Sequence, residues 1–336
     1  MNEEGLNSTL QNSSKTKTLR VLRLFAVYSI LALLLYFALR NAPLAEIWET
    51  IRQLKLWQIF ALIGINAAIY ALITLRWWVI VRAEAKSIPY VPLLAVRVAV
   101  FGVSYFTLGP QIGGEPLQVL YLRHHHGLTY TRAAASVVMD KLLEFLANFI
   151  LLAVGLTAVA EAGIFSVTGG QLSAAWAALA ALMLWPLIHI ILMYRGVYPI
   201  RFVLRALSRA KWSRFIIAAE RLAGAFCQRH LRALFVAAFV SLLAAAGMVI
   251  EYMLITSFLQ IRLPFWQTVS AWTAGWLAFL VPLPGGLGAL EASQVFALGA
   301  FGIAAASAIG VTLLMRARDI LIGGLGLYFA SRGLVK

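Results

Sequence analysis

The sequence predicts an all-α polytopic membrane protein with about six transmembrane helices and two re-entrant helical hairpins related as an inverted repeat. Of its 336 residues, 62% are hydrophobic and only 12% are charged, against roughly 25% charged residues in soluble domains. Several apolar runs approach or exceed the roughly 20 residues that a helix needs to cross a bilayer. A break motif that occurs twice supports the hairpins and the repeat.

The break motif has the pattern Pro-x-x-Gly-Gly and follows an apolar run in each copy. The copies begin at Pro110 and Pro282, and an acid follows each glycine pair, Glu115 in the first copy and Glu291 in the second. Such a break frees backbone N–H and C=O groups that find no partner in hydrocarbon, so it must lie against protein or line a wet cavity. Two broken segments in corresponding halves of a membrane protein point to a transport site.

The chain begins with a polar tail and two predicted spans. Residues 1–18 are rich in Asn, Ser, Thr and Lys, so we expect a disordered cytoplasmic tail there. A single transmembrane domain then covers 19–336, and its first spans are 24–39 and 56–75. The second span closes with Arg76-Trp77-Trp78, which is typical of an anchor at the membrane interface.

The first repeat, about 91–160, combines a hairpin with a long span. The apolar segment 91–122 carries Arg97 and the first break, and only eight residues follow that break before a basic cluster. Eight residues cover about 12 Å as a helix, too little to cross a bilayer, so we predict a re-entrant hairpin. The span 133–160 follows and contains Asp140, Lys141 and Glu144.

The rest of the chain predicts a surface helix and a second repeat. After a span over 174–194, residues 195–232 carry nine basic side chains and one acid. Their spacing predicts an amphipathic helix, about 197–230, on the membrane surface. A span over 233–259 contains Glu251. The second repeat, about 266–331, is a hairpin followed by a span over 304–330, which carries Arg316, Arg318 and Asp319.

Charge placement supports re-entrant hairpins over full spans. With a cytoplasmic N-terminus, 20 of the 28 Lys and Arg residues fall on the cytoplasmic side, four fall outside and four lie within the membrane. A full span over 91–108 would place the nine-basic segment outside, against the positive-inside tendency. The two repeats are then inverted, both termini are cytoplasmic, and Ser166 and Ser208 lie on opposite sides.

The charged residues within the spans are the candidate binding site. A charge at mid-membrane costs about 2.5–3.5 kcal/mol, so it persists only when it is paired or hydrated. Lys141 and Glu144 share a helix face, as do Arg316 and Asp319. Each pair either neutralises itself and joins helices, or its cation faces a central cavity and holds an anionic headgroup.

The hairpin tips complete the candidate site. Their glycines leave N–H groups free to meet an anion at helix N-termini. The acids after the breaks indicate proton coupling or contact with a cationic headgroup, or else they cap the short helices. The candidate binding residues are Arg97, Gly113, Gly114, Glu115, Arg123, Asp140, Lys141, Glu144, Pro284, Gly285, Gly286, Gly288, Glu291, Arg316 and Asp319.

Several other kinds of site find no support in the sequence. The chain has only two aspartates, so it lacks an Asp-rich motif for a divalent metal, and it lacks a P-loop. Its single cysteine, Cys227, forms no internal disulfide. His124, His125 and His126 cannot all face one way on a helix, so we expect a loop contacting lipid phosphates there rather than a metal site. No cofactor, metal or nucleic-acid partner is predicted.

Three stretches resemble the lysylphosphatidylglycerol synthase transmembrane family, which is similar to the flippase portion of the bacterial multiple peptide resistance factor. They are Gly113-Gly-Glu-Pro116 with Arg123, Ala135-Ser-Val-Val-Met-Asp140-Lys141, and Pro282-Leu-Pro-Gly-Gly-Leu-Gly-Ala-Leu-Glu291. The resemblance covers nearly the whole chain beyond the tail and implies a lipid-translocating or lipid-handling membrane domain. Relatives that synthesise aminoacyl lipids carry a soluble transferase domain after the membrane part. We expect none here, so synthase activity is not implied.

The sequence therefore predicts a lipid flippase or transporter, not an enzyme, in the bacterial cytoplasmic membrane. The expected substrate is an anionic or modified phospholipid or a polyprenyl-type lipid. The expected partners are membrane lipids, and a second copy or a lipid-synthesising enzyme is a further candidate. The alternative is a membrane-embedded glycosyltransferase or an accessory subunit of lipid-linked sugar or hopanoid assembly, and a third is a scaffold without turnover.

Overall fold

A computed structural model describes residues 44–85, 87–107, 113–161, 169–204, 210–280 and 283–333. Within these ranges the chain forms twelve α-helices and one short 3-10 turn, and no strand is present, which confirms the predicted all-α class. The predicted tail 1–18 and the span 24–39 lie outside the described residues. So do Pro110, Pro282, Ser166 and Ser208.

The helices follow one another with short connections. The first six are α1 Leu44–Arg52, α2 Leu56–Glu84, α3 Tyr90–Phe106, α4 Glu115–His126, α5 Tyr130–Glu161 and α6 Gly169–Tyr194. The others are α7 Pro199–Val203, α8 Lys211–Arg229, α9 Leu231–Phe258, α10 Phe265–Ala278, α11 Ala289–Ala300 and α12 Ala305–Gly333. The 3-10 turn Pro284–Gly286 lies between α10 and α11.

Five helices of 26 to 32 residues cover the predicted spans that lie within the described residues. At 1.5 Å per residue each is longer than the roughly 30 Å hydrocarbon core. Two of them, α2 and α9, are both long enough and apolar enough to cross a membrane, whereas α5 and α12 carry the buried charges that the sequence places inside them.

Helix α2 continues well past its predicted end at Leu75, to Glu84. Arg76 is 2% exposed and Trp77 is fully buried, so the interpretation of this stretch as an interface anchor was wrong. The helix accommodates Arg76 because the guanidinium has ion-pair partners inside the protein, Asp140 and Glu144.

Two segments of the chain, 56–161 and 231–333, have the same order of helices. Each contains a long helix, a helix that leads into the break, a 12-residue helix and a second long helix. The two short helices, α4 and α11, are followed by glycines with positive φ, Gly127 at 66° and Gly302 at 79°. The left-handed region ends a helix at low cost when the residue is glycine.

The two segments pack on each other reciprocally. Helix α3 of the first lies against α12 of the second, α10 of the second lies against α5 of the first, and the long helices α2 and α9 pack together. Glycines permit the close contacts: a Cβ on Gly326 of α12 would lie 2.2 Å from the Val98 carbonyl oxygen, and one on Gly155 of α5 would lie 2.5 Å from Thr273 Oγ1. Small residues of this kind let membrane helices approach closely.

The basic segment forms helices, but not one helix lying freely on a surface. It contains the short α7 and the longer α8. The apolar side of α8, including Ala223, Phe226 and Cys227, is buried in a cluster with Met139 of α5 and Met193 of α6. Its arginines at 214, 221 and 229 are exposed. Protein, rather than membrane, therefore covers much of the apolar face.

The three histidines also depart from the expected loop, because they form the last turn of α4. His125 lies one helical turn after Tyr121, and the two rings stack at a centroid distance of 4.5 Å. Basic side chains in a last helical turn suit the negative end of the helix dipole.

Candidate functional site

A cavity of about 170 Å³ lies between the two segments. Residues of α2, α3, α4 and α5 line it from the first segment, and residues of α9, α10 and α12 line it from the second. Aromatic side chains, among them Tyr70, Trp272 and Trp276, form much of the wall. Seven charged side chains also line it: Arg97, Glu115, Lys141, Glu144, Glu251, Arg318 and Asp319.

Behind the first-segment wall, Asp140 of α5 is fully buried between two guanidinium groups. Arg76 of α2 donates from Nε to Oδ1 at 2.6 Å, and Arg97 of α3 donates from Nη2 to Oδ2 at 2.5 Å. One carboxylate therefore joins three helices. Charge-assisted hydrogen bonds of this length are among the strong ones in proteins.

Lys141 lies one residue further along α5 and faces the cavity between two acids. Its Nζ is 3.1 Å from Glu144 Oε1 and 3.3 Å from Glu115 Oε1. Arg76 Nη2 reaches the other Glu144 oxygen at 2.8 Å. The predicted pairing of Lys141 with Glu144 is confirmed, and Glu115 is a second partner that the spacing along α5 could not indicate.

Glu115 also holds the first hairpin tip. Its Oε2 accepts a hydrogen bond of 2.8 Å from the Gly113 N–H, and Ser104 Oγ accepts one of the same length from the Gly114 N–H. In the described part of the break, the N–H groups of Gly113 and Gly114 are therefore bound by side chains. Glu115 therefore binds the N–H of the residue before the N-cap of α4, and its roles in proton coupling or headgroup contact stay predictions.

The second hairpin repeats this unit with different residues. Glu291 Oε2 accepts a hydrogen bond of 3.0 Å from the Gly288 N–H, and Glu291 Oε1 pairs with Arg316 Nε. Arg316 Nη1 donates to the Gly285 carbonyl oxygen at 3.2 Å. In each segment, then, a base on the second long helix binds the acid that caps the break, Lys141 with Glu115 and Arg316 with Glu291.

Asp319 does not pair with Arg316, contrary to the prediction from their spacing. Arg318 is its partner: Arg318 Nε donates to Asp319 Oδ1 at 2.8 Å, and Arg318 Nη1 donates to Glu251 Oε2 at 2.6 Å. Asn66 Nδ2 donates to the other oxygen of Glu251 at 2.8 Å. Arg316 itself is 2% exposed and is not part of the cavity wall. Its Nε and Nη1 bind Glu291 and the Gly285 carbonyl oxygen at the second hairpin tip instead.

The remaining predicted residues lie at the tips or at a helix end. Gly285, Gly286 and Gly288 have φ values of 59°, 61° and 78°, which favour glycine, while the side chain of Pro284 lies outside the described residues. Arg123 is not one of the residues that line the cavity. It is exposed at the end of α4, where its guanidinium lies over the Tyr130 ring at 5.4 Å.

Sequence reasoning left Arg76, Asn66, Glu251 and Arg318 out of the candidate set. The sequence did contain a signal for Arg76. Asp140 and Glu144 are two acids on one predicted span, and only Lys141 lies beside them. A second base therefore had to come from another helix, and Arg76 follows an apolar run. Asn66 carries no such signal, because one amide in a span is compatible with many positions.

Residues 21–326 match the family model of the lysylphosphatidylglycerol synthase TM region. The chain belongs to this family. The family is a membrane domain connected with lipid-related processes, so the resemblance drawn from the glycine motifs is confirmed. No curated protein and no solved structure matches the chain.

Proposed function

We propose that the protein is a flippase that moves a phosphate-bearing lipid headgroup across the bacterial cytoplasmic membrane through the central cavity. The observation that carries this proposal is the charged wall between two similarly built segments, with side chains of both segments in it. Ionisable residues inside a membrane domain are costly and mark substrate pathways more often than they serve packing.

The size of the cavity suits a headgroup. Pockets that enclose drug-sized ligands measure roughly 300–1,000 Å³, and this one holds about 170 Å³. A headgroup can enter such a space while its acyl chains stay in the bilayer. Lys141 and Arg318 line the wall and would meet the phosphate, the lysine as a compact charge and the arginine through its planar fork.

Alternating access is the proposed route across the membrane. The two segments are taken as an inverted repeat with re-entrant hairpins that enter from opposite faces, as the charge placement along the chain indicates. Their matching helix order and reciprocal packing support this relation. In repeat-built transporters one repeat rocks against the other around a site near the bilayer midplane, and here that site is the cavity.

The test is translocation of headgroup-labelled phosphatidylglycerol in proteoliposomes that contain the full chain. Wild-type protein and Lys141→Arg should both move the label, since both keep a cation on the wall, whereas Lys141→Met should abolish movement. Arg214→Met, which removes an exposed arginine of α8, is the matched control and should behave as wild type.

A second variant separates binding from packing. Glu144 keeps Arg76 as a partner when Lys141 is removed, but Glu115 loses its cation. The double variant Lys141→Met with Glu115→Gln therefore removes the charge imbalance without restoring a phosphate-binding group. If this variant translocates lipid, Lys141 has a structural role only. A folded wild-type protein that moves no labelled lipid would favour the transferase or scaffold alternatives.

A further inference from the structure

We infer that the Asp319 carboxyl group holds one exchangeable proton that faces the central cavity, and that this proton couples to lipid movement. The coupling depends on the flippase function proposed above. The protonation does not, because it follows from the charges and hydrogen bonds of the second segment.

The first observation is a difference in charge balance between the segments. The buried network of the first contains three bases and three acids: Arg76, Arg97, Lys141, Glu115, Asp140 and Glu144. The second segment has two bases and three acids in two separate groups, Arg316 with Glu291 and Arg318 with both Glu251 and Asp319. One carboxylate of the second segment thus has no base of its own. A carboxyl group buried without a countercharge becomes neutral by taking up a proton.

The second observation identifies which carboxyl group this is. Glu291 is bound by Arg316 and by the Gly288 N–H. Glu251 accepts a hydrogen bond on each oxygen, from Asn66 and from Arg318. Asp319 accepts from Arg318 on Oδ1, and within the described residues no hydrogen bond reaches its Oδ2.

Asp319 is also placed where a proton can reach it. The residue is 3% exposed, and it belongs to the cavity wall. It therefore combines a mostly desolvated carboxyl group with an unpartnered oxygen next to the space through which the headgroup would pass. A calcium or magnesium ion is a poor ligand for the Asp319 carboxyl group, because these ions take six or more oxygen ligands. Arg318 also already binds this carboxyl group.

The other groups that face Asp319 do not supply the missing positive charge. Arg97 of α3 is bound to Asp140, and α1 packs on α12 through Ile47 while its two glutamates are exposed. The neighbouring tyrosines are Tyr70 of α2, Tyr105 of α3 and Tyr252 of α9. Tyrosine is neutral at neutral pH, so the excess of one carboxylate remains.

The proton changes what Arg318 can bind. With Asp319 ionised, the guanidinium lies between two carboxylates and is more than neutralised. With Asp319 protonated, Arg318 has only Glu251 as an anionic partner, and a lipid phosphate becomes a favourable ligand. By linkage, phosphate binding then raises the affinity of Asp319 for its proton by the same factor. A proton and an anionic headgroup therefore bind together and cross together.

Infrared spectroscopy of the purified full chain tests the protonation directly. The wild type should show the carbonyl stretching band of a protonated carboxylic acid at neutral pH, and Asp319→Asn should lose it. Glu251→Gln should also lose it, because Arg318 then belongs to Asp319 alone and stabilises the carboxylate. The exposed Glu49→Gln is the control and should keep the band. A wild type without the band, or an Asp319→Asn protein that retains it, overturns the inference, as does Glu251→Gln keeping it.

Proteoliposomes with an imposed pH gradient test the coupling, with headgroup-labelled phosphatidylglycerol as the probe. One proton per lipid predicts up to about tenfold asymmetry in label distribution for a gradient of one pH unit. In Asp319→Asn the label distribution should no longer respond to the gradient. Wild-type movement that ignores the gradient overturns the coupling. A wild type that moves no label refutes the proposed function and leaves the infrared result standing.

Discussion

Single residues carry this molecule's chemistry through the partners that they find on other helices. Asp140 is the clearest case, because it binds Arg76 and Arg97 and so joins α5 to α2 and α3. A buried ion pair gives modest net stability, but removing one member leaves a buried charge without compensation. Arg97 would face this situation if the aspartate were neutralised, whereas Arg76 would keep Glu144 as an anionic partner.

Asp140→Asn should therefore lower the free energy of unfolding by about 3–5 kcal/mol. Glu49→Gln is the control, since its partner Arg52 lies at 3.4 Å and both side chains are more than half exposed, and exposed pairs contribute about 1 kcal/mol or less. Reversible unfolding in mixed micelles measures both. Equal effects for the two variants would contradict the assigned role of Asp140.

At this scale the sequence predicted several of the buried charged groups but not Arg76, and it did not predict most of their pairings. Spacing along one helix correctly joined Lys141 to Glu144 and wrongly joined Arg316 to Asp319. Helical spacing brings residues to one face, while the pairing depends on which groups the neighbouring helix presents. Glu291 caps a break on α11 and lies beside Arg316, and its place becomes known only after α11 is packed on α12.

Helices α3 and α12 approach each other closely, because glycines replace side chains at their contact. Gly102 and Gly326 face each other, and a Cβ on Gly326 would lie 2.9 Å from the Gly102 Cα and 2.2 Å from the Val98 carbonyl oxygen. Both partners are backbone atoms, which cannot move aside as a flexible side chain can. The contact matters for the site because α3 carries Arg97 and α12 carries Arg318 and Asp319.

Gly326→Ala should consequently destabilise the protein by about 1–3 kcal/mol, the usual cost of overpacking. Gly324 lies on the same helix with no atom within 4 Å of an added Cβ, so Gly324→Ala should be neutral or stabilising by up to about 1 kcal/mol. Melting temperatures in detergent compare the two. A neutral Gly326→Ala variant would show that the helices do not approach this closely.

The breaks were predictable as elements, since proline and glycine disfavour helix continuation and both breaks lie where the motif places them. The length of α4 was not. Its end was predicted at Leu122 because the histidines read as a polar loop, whereas the helix continues to His126 and Gly127 ends it in the left-handed region. A glycine directly after a basic turn is a helix stop signal. The position of Gly127 was therefore a better guide to the end of α4 than the polarity of the histidines.

At the scale of the whole molecule, the repeat of helices was recognisable from two short motifs, because each motif marks the same position in its segment. The charge difference between the segments was also present in the sequence, but it becomes meaningful only when the structure shows which bases and acids pair with one another in each segment. Reciprocal packing of α3 on α12 and of α10 on α5 could not be read from the chain, since apolar helices of this kind offer many equivalent faces.

The proposed inverted relation of the segments makes a prediction at equivalent loops. Thr129, between α4 and α5, and Ala304, between α11 and α12, are both exposed and each follows the glycine that ends a 12-residue helix by two positions. Cysteines at these positions, in a Cys227→Ala background, should react with a membrane-impermeant maleimide from opposite sides, Thr129→Cys from the cytoplasm. Cys227 is fully buried, and its removal leaves a single thiol in each variant.

Cysteines at Gln228 and Gln260 calibrate the assay, because these exposed residues flank α9, which is long and apolar enough to cross a membrane. They should label from the cytoplasm and from outside, respectively. If they do and Thr129→Cys and Ala304→Cys label from one side, the segments are parallel rather than inverted. Alternating access by rocking of inverted repeats would then fail. Protonation of Asp319 would remain, since it depends on the local charge balance and not on the direction in which each hairpin enters the membrane.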